Sequence, residues 1–263
     1  MSGDLSFPSD AAIEAAFDHY RQFGYARLGV VFSEQSLVRL RERADDLMLG
    51  RVVHDGMFFQ HDTDTGRYED LSYRQGWVGP SLSYRKLEKL EKDEHFRALI
   101  ENALFARVAR EIIGRQIVIY RATLFNKAAS GSSPIPWHQD GGSYWGLDKD
   151  PELQIWTALD DAPLESGCVQ VSPGSHAKGL ATPLGGVIPA DVLARKDPEA
   201  SLVSLPALAG EVLLIHNYLW HRSGPNQSGK PRRAVTICYM SAATRCLRKK
   251  RAPRTFVRVF EGG

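Results

Sequence analysis

The chain has 263 residues, with 33 lysines and arginines against 31 aspartates and glutamates, so its net charge is only +2. This balance gives no general case for nucleic acid or a membrane surface as a partner, and no apolar run approaches the ~20 residues of a membrane span. Its 3 cysteines are too few for a disulfide framework, and the N-terminus lacks a signal-peptide pattern, so we expect a cytoplasmic protein.

The N-terminal part carries helical patterns. Ser9 is a good helix cap before an apolar-rich run, and Gly24 is a good stop for that helix. Residues 25–32 are short, apolar and rich in β-formers, which predicts a strand, and a second helix is expected from Ser33. Residues 86–115 have apolar residues at helical spacing and predict a long helix.

Residues 50–84 follow neither the helical nor the strand period. The segment contains several aromatic residues and glycines. An irregular run of this length inside a compact domain is often a lid or a binding loop, although it can also be an ordered surface loop. Both interpretations remain open from the sequence.

The second half of the chain changes to short β-like runs separated by turn signals. Helices followed by many short strands predict a mainly β fold, a sandwich or barrel with helices packed outside one sheet. We expect helices and strands to share one core, so that residues 1–263 form a single domain. The predicted strands are residues 117–125, 152–158, 167–171, 202–203, 211–216, 233–239 and 255–259.

A candidate metal site begins at His138 and Asp140. In extended backbone, side chains two residues apart project to the same side. An imidazole and a carboxylate there make two thirds of the two-His, one-carboxylate set that non-heme Fe(II) oxygenases use. Either His216 or His221 could supply the third ligand. If one strand carried both, they would point to opposite faces, so only one could join, and strand parity does not choose between them.

A series of motifs in the second half resembles the phytanoyl-CoA dioxygenase family of Fe(II)- and 2-oxoglutarate-dependent oxygenases. The resemblance extends over roughly residues 23–241, and the motifs are specific because they occur together and in this order. They are residues 137–140, 155–161, 166–176, 210–212, 221–228 and 232–234.

The resemblance implies a fold and a metal centre. The fold is a double-stranded β-helix, a jelly roll of the cupin type, with the N-terminal helices packed on one sheet. The implied metal ligands are His138, Asp140 and His221, and the implied cofactors are Fe(II), 2-oxoglutarate as co-substrate, and O2.

The resemblance also implies residues that bind 2-oxoglutarate. Arg232 matches the family arginine that pairs with the distal carboxylate, and a planar guanidinium suits that contact because it can bind bidentately. Arg233 is the rival, but in a strand Arg232 shares its face with smaller neighbours, which leaves more room for a cofactor. Ser223 is expected to donate a hydrogen bond to the same carboxylate, and Trp156 and Thr123 match positions that line the cofactor.

The reaction implied is hydroxylation, or another oxidation, of an unactivated C–H bond in a small molecule, coupled to decarboxylation of 2-oxoglutarate to succinate and CO2. An aspartate at position 140 points to hydroxylation or desaturation, because halogenating relatives lack that carboxylate. Acyl-CoA thioesters, amino-acid derivatives, phosphonates and natural products are the substrate classes implied. The alternatives are a non-oxidative cupin-like metalloenzyme, a metal-binding module without activity, and an oxygenase that modifies protein or nucleic acid, although the near-neutral charge argues against nucleic acid.

Overall fold

The structure, a computed structural model, describes residues 5–72, 76–129, 132–249 and 254–260. Ser9 caps the first helix, as predicted, with its Oγ accepting from the backbone N–H of Ala12. None of the helices in the described part is long and apolar enough to cross a membrane. The α-helices are α1 (Asp10–Phe23), α2 (Glu34–Met48), α3 (Glu94–Ile100), α4 (Ala103–Ile113) and α5 (Ala190–Lys196).

The strands form two sheets in which every described pairing is antiparallel. They are β1 (Tyr25–Val30), β2 (Phe58–His61), β3 (Tyr84–Glu88), β4 (Ile117–Lys127), β5 (Ile135–Gln139), β6 (Leu153–Ala158), β7 (Val169–Val171), β8 (Gly186–Val187), β9 (Val203–Leu205), β10 (Glu211–His216), β11 (His221–Ser223), β12 (Arg232–Ser241) and β13 (Val257–Val259).

The larger sheet has the order β1-β10-β6-β12-β4-β3-β2, with β13 added beside β4, and the smaller sheet has the order β8-β5-β11-β7-β9. A buried cluster joins the two sheets, with Trp156 and Leu213 from the larger sheet packed against Val171 and Leu205 from the smaller one. Two antiparallel sheets packed in this way are the jelly-roll architecture predicted from the sequence.

The helices cover the other face of the larger sheet. Alternate residues of β12, such as Val235 and Ile237, share one buried cluster with Phe17 of α1 and Leu37 of α2, whereas Ala234 lies in the cluster between the sheets. The alternation follows from the period of two in a strand. It leaves the inner face of the larger sheet, with Arg232 at one end of β12, turned toward the smaller sheet.

Two of the predicted elements were wrong. Residues 86–115 are not one helix, because residues 86–88 belong to β3 and because Asp93 and Asn102 each cap a separate helix. Segment 50–84 contains β2, paired with β3, so it is not an irregular loop throughout. Residues 73–75 of that segment lie outside the described residues.

Candidate active site

The pairing of β5 with β11 sets two histidines opposite each other. His138 and His221 are Cα partners across these strands, and their ring centroids are 4.0 Å apart. Asp140 follows directly after β5, and its backbone N–H donates to the carbonyl of Asn217 at 2.8 Å. One ligand atom from each of the three side chains lies within 4.8 Å of the others. The arrangement therefore matches a set of two imidazoles and one carboxylate on one metal.

Backbone carbonyls fix both imidazoles. Nδ1 of His138 lies 2.9 Å from the carbonyl oxygen of Pro136, and Nδ1 of His221 lies 2.8 Å from that of Leu219. A carbonyl can only accept, so each Nδ1 carries the hydrogen and each Nε2 presents a lone pair. Burial, with the neighbouring imidazole, lowers the pKa of His138 to about 3. His138 is therefore neutral near pH 7, as a metal ligand has to be.

Two side chains of the larger sheet hold the Asp140 carboxylate. Arg121 Nη2 donates to Oδ1 at 2.8 Å, and Gln154 Nε2 donates to Oδ2 at 2.6 Å. Burial alone would raise the pKa of this carboxyl, but the Arg121 guanidinium and the two imidazoles hold that pKa well below its usual range. Asp140 is thus an oriented carboxylate rather than a carboxylic acid.

His216 lies away from this group. It is the last residue of β10 in the larger sheet, its ring is 4.9 Å from that of His176, and its Nδ1 accepts from the backbone N–H of Tyr218 at 3.0 Å. The parity argument from sequence did not apply, because residues 217–220 carry the chain from one sheet to the other and the two histidines occupy different strands. The structure brings His221, not His216, to His138 and Asp140.

A cavity of about 150 Å³ opens beside the two imidazoles and is also lined by Trp156, Ser223 and Arg232. The Arg232 guanidinium donates from Nη2 to the carbonyl of Gly167 at 2.7 Å, but within the described residues its Nε and the Oγ of Ser223 are buried without a partner. Burial lowers the pKa of Arg232 to about 10, so it stays charged at neutral pH. A buried guanidinium and a buried hydroxyl without partners are suited to a carboxylate ligand.

The remaining predicted residues lie near this cavity or are turned away from it. Thr123 is buried on β4, and its Oγ1 also has no partner in the described chain, although it does not line the cavity surface. Arg233 faces away from the cavity and forms ion pairs with Asp160 and Asp45, each at 2.8 Å. Its guanidinium therefore binds two carboxylates outside the cavity, one of which lies on α2.

Sequence reasoning missed several polar residues of the cavity wall. Arg121 and Lys127 were in or next to a predicted strand but were not recognised, and neither Gln154 nor Ser133 was assigned a role. The available signal was the strand period: Arg121, Thr123 and Lys127 occupy alternate positions of β4, whereas Ala122 and Leu124 between them lie in the buried cluster shared with the helices. Polar residues at alternate positions of a strand inside the core would have indicated a polar cavity.

With this geometry established, comparisons with known proteins identify the family. A family model described as phytanoyl-CoA dioxygenase matches residues 20–234. The chain belongs to the phytanoyl-CoA dioxygenase family.

Named relatives in the phytanoyl-CoA dioxygenase family vary in function. Phytanoyl-CoA dioxygenase domain-containing protein 1 of Bos taurus is 31% identical over 160 residues, which are 57% of this chain and 54% of that protein. The chain thus matches about half the length of that relative. A probable alpha-ketoglutarate-dependent hypophosphite dioxygenase of Stutzerimonas stutzeri is 27% identical, over 85% of this chain and 77% of that protein.

Solved structures share the fold. The epimerase SnoN, in complex with Fe3+, alpha ketoglutarate and nogalamycin RO, has a TM-score of 0.73 at 19% identity and covers 97% of both chains. EctD from S. alaskensis, with 2-oxoglutarate and 5-hydroxyectoine, has a TM-score of 0.73 at 21% identity over 98% of this chain and 91% of that one. The predicted family and jelly-roll fold are confirmed, and the predicted class and cofactors, a dioxygenase using iron and 2-oxoglutarate, are confirmed at the level of the family.

Proposed function

We propose that this protein is a hydroxylase of a small organic molecule that uses Fe(II), 2-oxoglutarate and O2. The overall reaction converts substrate R–H, 2-oxoglutarate and O2 into R–OH, succinate and CO2, so that one oxygen atom enters each organic product. The observation that carries the proposal is that His138, Asp140 and His221 converge at a cavity that also contains the unpartnered polar atoms of Ser223 and Arg232.

The metal would be held by His138, Asp140 and His221. Their chemistry fits iron, because two neutral imidazoles and one carboxylate satisfy a divalent first-row metal while leaving other coordination positions free. When bound, iron would supply the activation of O2 that drives decarboxylation of 2-oxoglutarate and oxidation of the substrate. By the family resemblance, halogenating relatives lack a carboxylate at this position, so the presence of Asp140 favours hydroxylation.

The co-substrate would be anchored by Arg232 and Ser223. The guanidinium offers its Nε–H and remaining donors to the distal carboxylate, and the Ser223 hydroxyl adds a hydrogen bond. Ser223 is two residues from His221 on β11, so both side chains project to the same side of that strand. Trp156, next to them in the cavity wall, and Thr123 behind that wall would limit the space around the co-substrate and exclude water.

The test is a spectroscopic titration without oxygen. Wild-type protein with Fe(II) should develop a charge-transfer band when 2-oxoglutarate is added, and His138→Ala and His221→Ala should lose both iron and the band. With oxygen present, a panel of acyl-CoA thioesters, amino-acid derivatives and natural products should include compounds that stimulate succinate formation.

Each outcome of this test decides between the functions considered. Metal binding without a charge-transfer band would reject the oxygenase and favour a non-oxidative cupin-like metalloenzyme or a metal-binding module. Full iron binding by either alanine variant would reject the metal assignment itself.

A further inference from the structure

The cavity contains a second group of polar side chains, separate from the proposed co-substrate anchor. Lys127, at the end of β4, lines the cavity and is only 4% exposed. Its Nζ donates to the carbonyl of Ser133 at 3.1 Å. An ammonium group has three donors, and within the described residues only one of them has a hydrogen-bond partner.

Ser133 supplies an independent sign of a ligand at the same place. Its residue is 1% exposed, and its Oγ has no hydrogen-bond partner among the described residues. Its backbone N–H donates to Oδ2 of Asp62 at 3.0 Å, which holds Ser133 in place. A buried hydroxyl without a partner costs free energy unless a ligand or ordered water satisfies it.

Arg85 adds positive charge to this corner of the cavity. The register between β2 and β3 shifts after Gln60, which pairs with Lys86, so Arg85 is the extra residue of a bulge. A bulge can redirect a side chain, and the Arg85 guanidinium lines the cavity and donates to Oε1 of Gln60 at 3.2 Å. Burial, together with the charges of Arg232 and Arg85, lowers the pKa of Lys127 to about 6.

Ion pairs account for some, but not all, of the cations that line the cavity. Within the described chain, neither Lys127 nor Arg232 forms an ion pair with a carboxylate. Three other lining cations do: Lys86 with Glu88, Arg121 with Asp140, and Arg222 with Glu199. If Arg232 neutralises the distal carboxylate of 2-oxoglutarate, one further monoanion can neutralise Lys127.

We propose that Lys127, Ser133 and Arg85 bind a carboxylate group of the substrate. The inference rests on the proposed function, because it names the substrate class of the same cavity. A carboxylate fits better than a phosphate or phosphonate, since Lys127 and Arg85 together with the Asp62 carboxylate give this corner a net charge of +1 when Lys127 is protonated, which a monoanion neutralises and a dianion exceeds. The Lys127 ammonium and the Ser133 hydroxyl donate to the carboxylate, and Arg85 supports it electrostatically.

The experiment measures binding rather than turnover. Protein saturated with Fe(II) and 2-oxoglutarate without oxygen, so that Arg232 is already occupied, is titrated by calorimetry with hexanoate, methyl hexanoate and hexylphosphonate. Hexanoate should bind at least about tenfold more tightly than either of the other two. Lys127→Met should weaken hexanoate by about ten- to a hundredfold, and Ser133→Ala by a smaller factor. Lys196→Met, on the exposed helix α5, is the matched control and should behave as wild type.

Three outcomes would overturn the proposal. Equal binding of hexanoate and its methyl ester would show that the corner does not recognise a carboxylate, and tighter binding of hexylphosphonate would assign it to a dianion. A Lys127→Met variant that retains hexanoate but loses 2-oxoglutarate affinity would make Lys127 part of the co-substrate anchor. Failure of the oxygenase proposal is a separate result, because it appears as the absence of a charge-transfer band in wild type before any hexanoate is added.

Discussion

Arg121 forms a partly buried ion pair with Asp140, one of the three candidate metal ligands, at 2.8 Å. The same guanidinium lies 4.6 Å from the centre of the Trp145 ring, so its position is fixed on two sides. Arg121 therefore orients the carboxylate before any metal arrives. Its positive charge opposes a metal cation, whereas its orienting effect favours one, and the two effects can be separated by substitution.

We expect Arg121→Met to weaken Fe(II) binding by about 10- to 100-fold, because groups that orient a metal ligand typically contribute this much. The measurement is a competition titration of Fe(II) against a chelator. Arg245→Met is the control, since Arg245 pairs with Asp148 at a similar 2.7 Å but with its own side chain 79% exposed, and it should not change iron affinity. Unchanged or tighter iron binding by Arg121→Met would show that charge repulsion outweighs orientation.

The two neighbouring arginines of β12 should separate cofactor binding from stability. Arg232→Ala should weaken 2-oxoglutarate by about two to three powers of ten, because a buried charged contact is lost, and iron affinity should change little. The charge-transfer titration measures this effect.

Arg233→Ala should keep the charge-transfer band but lower the free energy of unfolding by about 2–4 kcal/mol, because the Asp160 carboxylate loses the nearer of its two arginine partners in a partly buried site, with Arg41 left at 3.7 Å. Urea denaturation of both variants measures this difference. The opposite pattern, with the band lost in Arg233→Ala alone, would move the co-substrate anchor by one residue.

His216→Gln should keep iron and the charge-transfer band. The imidazole lies against His176 and accepts from a backbone N–H, so its loss should cost about 1 kcal/mol of stability without touching the metal. The measurement is the iron content of His216→Gln and of His221→Gln after dialysis. If His216→Gln lost iron while His221→Gln kept it, the histidine assignment would be reversed.

Lys127→Met should stabilise the unliganded protein, by about 1–3 kcal/mol at pH 7, because burying the lysine costs free energy, either as an ammonium or through loss of its proton, and an apolar side chain has no such cost. Burial lowers the pKa of Lys127 to about 6 in the folded state, below its unfolded value, so the unfolded chain binds the extra proton between those two pKa values. The penalty is therefore full below pH 6 and shrinks as the pH rises. Urea denaturation at pH 6 and pH 9 should show a larger gain at pH 6, and Lys196→Met should show none. A gain independent of pH would mean that Lys127 is not buried as a titrating group.

The period of two in the strands explains what could be predicted. It predicted that His138 and Asp140 lie on one side of the chain. It also favoured Arg232 over Arg233, because alternate residues of β12 face the cavity and the helices. The choice of His221 came from the family resemblance. Strand parity could not choose between His216 and His221, because residues 217–220 connect two different sheets and parity holds only within one strand.

Other features depend on contacts distant in sequence. Residues 86–88 have helical spacing when read with the residues that follow, but pairing with β2 and β4 makes them a strand. The orientation of Arg85 depends on a bulge, which is defined only by the partner strand. The burial of Lys127 could not be predicted from the sequence, because a lysine at the end of a strand usually reaches solvent.

Strand β11 consists of only three residues, all of which line the cavity, and His221 and Ser223 project to the same side of it. A shift of one residue in its pairing would turn both side chains to the opposite face of the smaller sheet. Insertions and deletions between β10 and β11 should therefore remove the proposed metal ligand and the proposed co-substrate contact together. We therefore expect the number of residues in this short connection to vary less among related sequences than the identity of its side chains.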